Sequence, residues 1–334
     1  MYTVLSLPLD NAFAINNRGE VAGNVTAPLP PGDRQENPEQ TTRVQAAVYA
    51  GGRIRRLSGL RPSLSAAVGG INDRGEVVGT LSKTTSGAVT VVESIAVLWD
   101  RNGALRVLSK PGERSAGTGI NQHGQSVGVY IGDWAQTDQA FLRSGGKAMI
   151  LGRFNAVGIN DRGQVVGSRD RGAVENRRSV GGGTMAVLWH NGKRRDLGMG
   201  TGSSSEARAI NNRGQIVGSI LWTDEYAVLW DNGRMRELPS LPAGGSSSAR
   251  SINDRGDVVG SVTDANGVSH AVLWQNGKIL RLDQVVKLPA GAIFEEAVSI
   301  NNRRQIVVTG YRSDNTSHFR GSSCVYLLTP RGIS

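Results

Sequence analysis

A seven-bladed β-propeller with four antiparallel strands per blade is the all-β fold that this sequence predicts, and three observations predict it. One short motif, whose core reads I-N-[ND]-R-G-x-V-V-G, recurs seven times. A second motif, close to x-A-V-L-W, follows each copy. Glycine is abundant, at 45 of 334 residues, while aromatics make up only 5%. That composition suits many short strands joined by tight turns and argues against helical bundles. Stacked repeats share one continuous core, so the length, which would otherwise suggest two domains, reads as one domain over residues 1–334.

The first motif centres on Asn16, Asn72, Asn121, Asn160, Asn211, Asn253 and Asn301, at spacings of 56, 49, 39, 51, 42 and 48 residues, near the length of a propeller blade. A strand of small residues ends in Ile-Asn. The turn that follows carries Asn or Asp, which bond their own backbone, and Gly, which takes positive φ. The V-V-G strand is apolar because blades pack on both faces. The second motif is AAVYA at 46–50, IAVLW at 95–99, QAFLR at 139–143, MAVLW at 185–189, YAVLW at 226–230, HAVLW at 270–274 and SCVYL at 323–327. Asn-Gly hairpin turns follow at Asn102-Gly103, Asn191-Gly192, Asn232-Gly233 and Asn276-Gly277. Short strands then end in Leu57, Leu108, Leu151, Leu197, Leu238 and Leu282.

Each unit is thus four strands, a to d, and the blades fall near 12–57, 67–108, 116–151, 156–197, 206–238, 248–282 and 296–328. The seventh copy lacks strand d. Thr3–Leu7 (TVLSL) reads as a d strand with nothing before it, so it should complete the last blade, close the ring and remove two exposed edges. Trp99, Trp189, Trp230 and Trp274 repeat with the blade and read as core.

The alternation of I-N-N-x-G-x-V-V-G with a strand such as His270-Ala271-Val272-Leu273-Trp274 resembles the HAF-repeat family of bacterial proteins, over essentially the whole chain. The resemblance implies the propeller; many such proteins look extracellular. Met1–Asp10 has no basic n-region and its apolar run is short and broken by Pro8, which departs from that pattern and predicts a cytoplasmic protein. No stretch approaches the ~18 apolar residues of a membrane span. The single cysteine, Cys324, falls in a predicted strand and cannot form an internal disulfide.

Net charge is +10, carried by 32 Arg and 6 Lys against 28 carboxylates. Either Arg-rich coding or a basic face accounts for the excess. Arg18, Arg74, Arg162, Arg213, Arg255 and Arg303, with His123 in the remaining copy, share one turn position and would ring the lower channel mouth. They are either solvated turn residues copied by duplication or a cationic ring. Nucleic acid is not expected as a partner, because off-repeat aromatics lie on the opposite face.

In such blades the b–c and d–a connections share one face. The b–c segments vary widely in length and sequence, so a site is expected on that upper face. Strand a lines the channel. Two residues before each Ile stand Phe13, Gly69, Thr118, Val157, Arg208, Arg250 and Val298. Arg208 and Arg250 break an apolar or small pattern in consecutive blades. A desolvated guanidinium needs a partner. Glu206, Glu295 and Glu296, expected in d–a loops, could supply one, or the arginines could form a fork for a carboxylate or other oxyanion.

Arg208, Arg250, Trp134, Trp222 and Tyr226 are the candidate substrate-binding residues, and Glu296, Glu206 and His270 the candidate acid–base groups. Asp133, Asp224, Glu225 and His318 flank the same loops. No phosphate-binding loop, dinucleotide fingerprint or H-E-x-x-H occurs, and the four His are scattered, so neither metal nor cofactor is expected. Two functions compete. One is a cofactor-independent cyclase, isomerase or lyase of bacterial secondary metabolism, acting on polyketide-like, mostly apolar anionic small molecules in antibiotic biosynthesis. The other is a non-catalytic propeller that binds a ligand or protein.

Overall fold

Six of the seven copies fold as two hairpins laid side by side, and the seventh takes its outer strand from the start of the chain. In the computed structural model, residues 2–29, 42–59, 64–85, 91–110, 112–132, 138–171, 174–175, 178–179, 182–242, 244–312 and 323–331 are described. They form seven sheets of four antiparallel strands, plus one small hairpin, Val174–Glu175 with Arg178–Ser179, in the b–c segment of blade 4. Blade 5 is representative: a (Ser204–Ile210), b (Ile216–Leu221), c (Glu225–Asp231) and d (Arg234–Glu237) pair in that order.

Hairpin chemistry sets the outer half of each blade. Asn191, Asn232 and Asn276 take φ of 49°, 50° and 52°, each followed by a positive-φ glycine, as a two-residue primed turn requires. Asn102 departs from this. Asp100 Oδ1 accepts from the backbone N–H of Asn102 and Ala104, giving a longer loop and a d strand of only Leu105–Val107. Past strand d, the backbone N–H groups of Leu57, Leu108, Leu197 and Leu238 reach the carbonyls of Ala46, Ala96, Ala186 and Ala227, each at 2.8 Å, and their side chains are buried between blades.

The core consists of the spaces between neighbouring blades. Trp99, Trp189, Trp230 and Trp274 are buried there. The indoles of Trp99 and Trp274 donate to Ser58 O at 2.6 Å and Pro239 O at 2.7 Å, each on the preceding blade. The ring closes as the repeat count requires: Tyr2–Leu7 pairs with Ser323–Pro330 from Tyr2↔Pro330 to Leu7↔Val325, as the outer strand of blade 7.

The a–b turns lock the ring a second time. The seven motif asparagines are buried, at most 4% exposed. Each accepts two backbone N–H bonds within its own turn, as Asn72 does from Arg74 and Glu76. Each donates one Nδ2–H bond to the carbonyl of the equivalent asparagine in the next blade, from Asn16→Asn72 round to Asn301→Asn16 at 2.8–3.1 Å. The next residue builds a second closed circuit. Its backbone N–H donates to the side-chain oxygen of its counterpart one blade on, from Asn17→Asp73 to Asn302→Asn17, at 2.6–2.8 Å. Carboxylates (Asp73, Asp161, Asp254) occupy blades 2, 4 and 6 of that circuit, and amides (Asn17, Gln122, Asn212, Asn302) the others, so no two carboxylates are neighbours.

One copy departs from the turn pattern. Where the others have glycine, blade 7 has Arg304, at φ 61°. Its Nε donates to Asp257 Oδ2 of blade 6 at 2.8 Å, and Asp257 is itself the only Asp where the other copies have Glu or Gln. Two irregular residues in adjacent copies are partners. Burial pushes the Asp257 carboxyl up, but bonds from Arg304, Gln275 and Asn253 outweigh it and hold the group below its ordinary range.

Among the described residues, no helix is long and apolar enough to cross a membrane.

Candidate functional site

Each a strand carries a bulge, and the residue it ejects is the one two before the Ile. The ladder register skips Phe13, Gly69, Thr118, Val157, Arg208, Arg250 and Val298. A bulge takes one residue out of the pairing and re-aims its side chain. Six of the seven line a cavity of about 660 Å³ at the upper end of the channel. The seventh, Thr118, turns its hydroxyl to Ala156 O of blade 4 at 2.8 Å instead.

The wall has two characters. Ala12, Phe13, Val68, Gly69, Val157 and Val298 form the apolar part, and Arg208, Arg250, Glu295 and Glu296 the charged part. Below the bulges, each a strand continues with a small residue and then Ile15, Ile71, Ile120, Ile159, Ile210, Ile252 or Ile300. These seven isoleucines and the amide–carboxylate circuit line a separate funnel of about 250 Å³ at the lower end.

Glu206 and Glu296 do not lie in d–a loops. Both are in a strands, paired with Ser219 and Thr309, because the a–b ladders run further up than the motif suggests. Arg208 is held by two carboxylates, Glu225 at 3.1 Å and Glu206 at 3.3 Å. Glu225 also accepts from Ser248 Oγ at 3.2 Å. Burial raises the Glu225 pKa, yet bonds from Ser219, Arg208 and Ser248 leave it below the usual carboxylate value. Arg250 is held differently: only its Nε donates to Glu296 Oε1, and its two Nη groups have no hydrogen-bond partner among the described residues. The expected fork of two equivalent arginines is therefore two arginines in unlike settings: Arg208 meets two carboxylates through one Nη, and Arg250 meets one through Nε.

The remaining candidates do not converge on this cavity. His270 is 8% exposed in the c strand of blade 6, with Nε2 3.0 Å from Asp264 and Nδ1 3.4 Å from Asp283, which Arg281 also binds. The His270 bond, foremost, holds the Asp264 carboxyl below its ordinary range. Tyr226 packs into the apolar cluster between blades 4 and 5, because cross-strand Ile220 faces that interface. Trp222 is 53% exposed, with its indole on Thr201 O at 2.6 Å, and it is not among the residues lining the cavity. Trp134, Asp133 and His318 lie outside the described residues.

Sequence reasoning gave Phe13 and Val298 no role, although their position in the repeat marks them as surely as it marks Arg208. Glu225 was legible only as a loop flank, because its distance from Arg208 depends on the twist between strands.

The turn arginines are exposed, and only two of them meet a carboxylate among the described residues. Arg18 and Arg74 pair with Glu20 and Glu76 of their own turns, both at 2.6 Å, Arg213 donates to Gln215 at 2.9 Å, and Arg255 donates to Asn302 O at 3.0 Å. Several lie over the turn glycine of the next blade: a Cβ on Gly124 would meet Arg74 at 2.0 Å, and one on Gly214 would meet Arg162 at 2.4 Å. Glycine here serves both a positive φ and the space for a neighbour's guanidinium.

No family model matches the chain, and no curated protein matches it. Solved structures do match in fold. The chain is similar to the β-propeller domain of the Trilobed protease from Pyrococcus furiosus, with TM-score 0.62 and 10% identity over 96% of this chain and 94% of that one. It is similar to streptogramin B lyase, with TM-score 0.56 and 10% identity over 98% and 97%. It is also similar to YCF48 bound to D1 peptide, with TM-score 0.55 and 12% identity over 99% and 97%. At these identities the likeness is one of fold.

Proposed function

We propose that the upper channel mouth is the binding site for a small, mostly apolar molecule bearing one anionic group. The observation that carries this reading is Arg250. A bulge places it on the wall, Glu296 fixes it through Nε, and both Nη groups are left for an oxyanion, which a guanidinium takes bidentately. The apolar arc from Val298 through Phe13 to Val68 would cover the rest of the ligand. The protein is on this reading a ligand-binding propeller whose likeness to HAF-repeat proteins lies in the scaffold.

A second reading has one specific observation behind it. The Glu296 carboxylate lies on the wall beside the proposed anion site, where it could take a proton from a bound acid without a cofactor. That is the chemistry of an isomerase or lyase, and a lyase is among the propellers this chain resembles. Glu206 and His270 have no part in it, since neither lines the cavity.

The test is calorimetric titration with a panel of aryl and polycyclic carboxylic acids. A binder from that panel should lose about 2–5 kcal/mol on Arg250→Met, with the melting temperature nearly unchanged. Arg208→Met should cost less, because that guanidinium is already shared by two carboxylates. Unchanged binding in Arg250→Met would remove the site. Acid–base catalysis would appear as deuterium uptake next to the carboxyl or a conjugated carbonyl of the bound acid, and Glu296→Gln should stop it while leaving binding in place.

A further inference from the structure

The net charge of this protein is not in its turns. The seven outer strands are Tyr2–Leu7, Arg53–Arg56, Leu105–Val107, Lys147–Gly152, Lys193–Asp196, Arg234–Glu237 and Lys278–Arg281. They hold twelve of the chain's 38 cations but only two of its 28 carboxylates. Their net charge of +10 equals the net charge of the whole chain, so the rest of the sequence sums to zero. The rim is uneven as well. The closing strand has no cation, that of blade 1 has three and those of blades 2 and 3 have one each, whereas blades 4, 5 and 6 carry seven on three consecutive strands. Six of these, Lys193, Arg194, Arg195, Arg234, Arg236 and Lys278, are exposed and have no ion-pair partner among the described residues.

Charges on an edge strand keep it from pairing with other chains. That explains charge but not sign, since carboxylates would serve equally, and the outer strands of blades 3 and 7 do with one charge or none. A ridge of seven cations against two carboxylates, Asp196 and Glu237, with six of the cations outside any ion pair among the described residues, is the electrostatic footprint of a polyanion partner. The three strands have no aromatic residue to stack an unpaired base and expose few large apolar groups, Leu280 among them, to enter a bilayer. We propose that the rim over blades 4 to 6 docks the phosphate backbone of double-stranded nucleic acid, without reading its sequence and without using the channel.

The experiment is fluorescence anisotropy with a labelled random-sequence duplex of about 30 base pairs, long enough to span several phosphate contacts. With six cations each neutralising one phosphate, log affinity should fall against log salt with a slope of about −5, and affinity should drop roughly a thousandfold between about 50 and 200 mM. Arg194→Gln, Arg195→Gln, Arg234→Gln and Arg236→Gln together should reduce the slope to about −2. The same four positions changed to Glu keep the edges charged and should abolish binding. Thus loss in the Glu variant, with the oligomeric state the same as that of the wild type, separates phosphate docking from edge protection. Arg18→Gln with Arg74→Gln should bind like the wild type. The proposal is overturned if the duplex is not bound at low salt, or if the Glu variant binds as well as the wild type. It is also overturned if vesicles of equal parts phosphatidylcholine and phosphatidylserine are bound while the duplex is not.

Discussion

The two ends of the channel were made from the same seven copies and have diverged to different degrees. At the lower end the asparagine is invariant in all seven turns, and each donates the same bond to the next blade. At the upper end the bulged position holds Phe, Gly, Thr, Val, Arg, Arg and Val. Both positions belong to one strand, a few residues apart, so location alone does not explain the contrast. The lower residue has hydrogen-bond partners in two blades and a substitution there would be felt by both. The upper residue has left the ladder, so the blade tolerates almost any side chain on it. A propeller of this kind keeps its shape with one end and can change its ligand with the other.

The largest effect should come from the one place where the circle is not covalently continuous. Removing residues 2–9 deletes all six pairs between the closing strand and blade 7 and uncovers a cluster containing Tyr326 and Leu328. The truncated chain should fail to show a cooperative melt by circular dichroism. A melting temperature within a degree or two of the full chain would mean that the lower circuits close the ring unaided.

Asn72→Ala should be next. It orphans the half-buried backbone N–H groups of Arg74 and Glu76 and removes one of the two bonds to the Asn121 carbonyl, which keeps the Gly124 N–H. At about 1–3 kcal/mol per unsatisfied group the loss should be roughly 3 kcal/mol or more, measured by urea unfolding. A bulge residue makes the sharper contrast, and Val157→Thr on the cavity wall should cost about 1 kcal/mol or less. Equal losses at the two positions would erase the distinction between the ends.

The irregular pair in blades 6 and 7 offers a test by pH. The Asp257 pKa is depressed in the folded protein, so the unfolded chain binds a proton more readily. The pair's stabilisation is complete above the usual carboxylate range and is lost as pH falls through the depressed value. Asp257→Asn should flatten the stability-versus-pH curve below about pH 4, where an ordinary aspartate titrates. Arg304→Gly relieves a positive φ that costs a non-glycine residue about 1–2 kcal/mol, but it leaves Asp257 without its cation. Restoring the repeat pattern at both positions should be less harmful than Arg304→Gly alone.

The smallest effect belongs to the exposed turn arginines. Arg74, half exposed and paired within its own turn, should change stability by under about 0.5 kcal/mol when replaced by Gln.

Much of this architecture was legible because the chain carries its own alignment. Seven internal copies reveal which positions the blade demands, so blade count, strand order and the closing strand all followed from the motif and from a missing d strand. The same device flagged Arg208 and Arg250 as irregular. It failed where contacts run between unlike copies. Nothing in the turn sequence tells that Arg74 lies over Gly124, or that Arg208 is shared by two glutamates while Arg250 has one. The surplus of cations on the d strands shows only when charge is summed strand by strand, because these strands share no repeated cation as conspicuous as the turn arginine.

The amide–carboxylate circuit of the lower mouth has a consequence of parity. Strict alternation of two kinds of residue can close only on an even ring, and seven is odd, so one pair of neighbours must be alike. Here the like pair is Asn302 and Asn17, both amides, and it falls at the junction of blades 7 and 1, between turns that stand near opposite ends of the sequence. Two adjacent carboxylates at that junction would repel across the one interface that must assemble from opposite ends of the chain; two amides do not. The odd member of the circuit has been placed where closure is most easily lost. An eighth copy bearing aspartate, inserted at that junction, would restore perfect alternation.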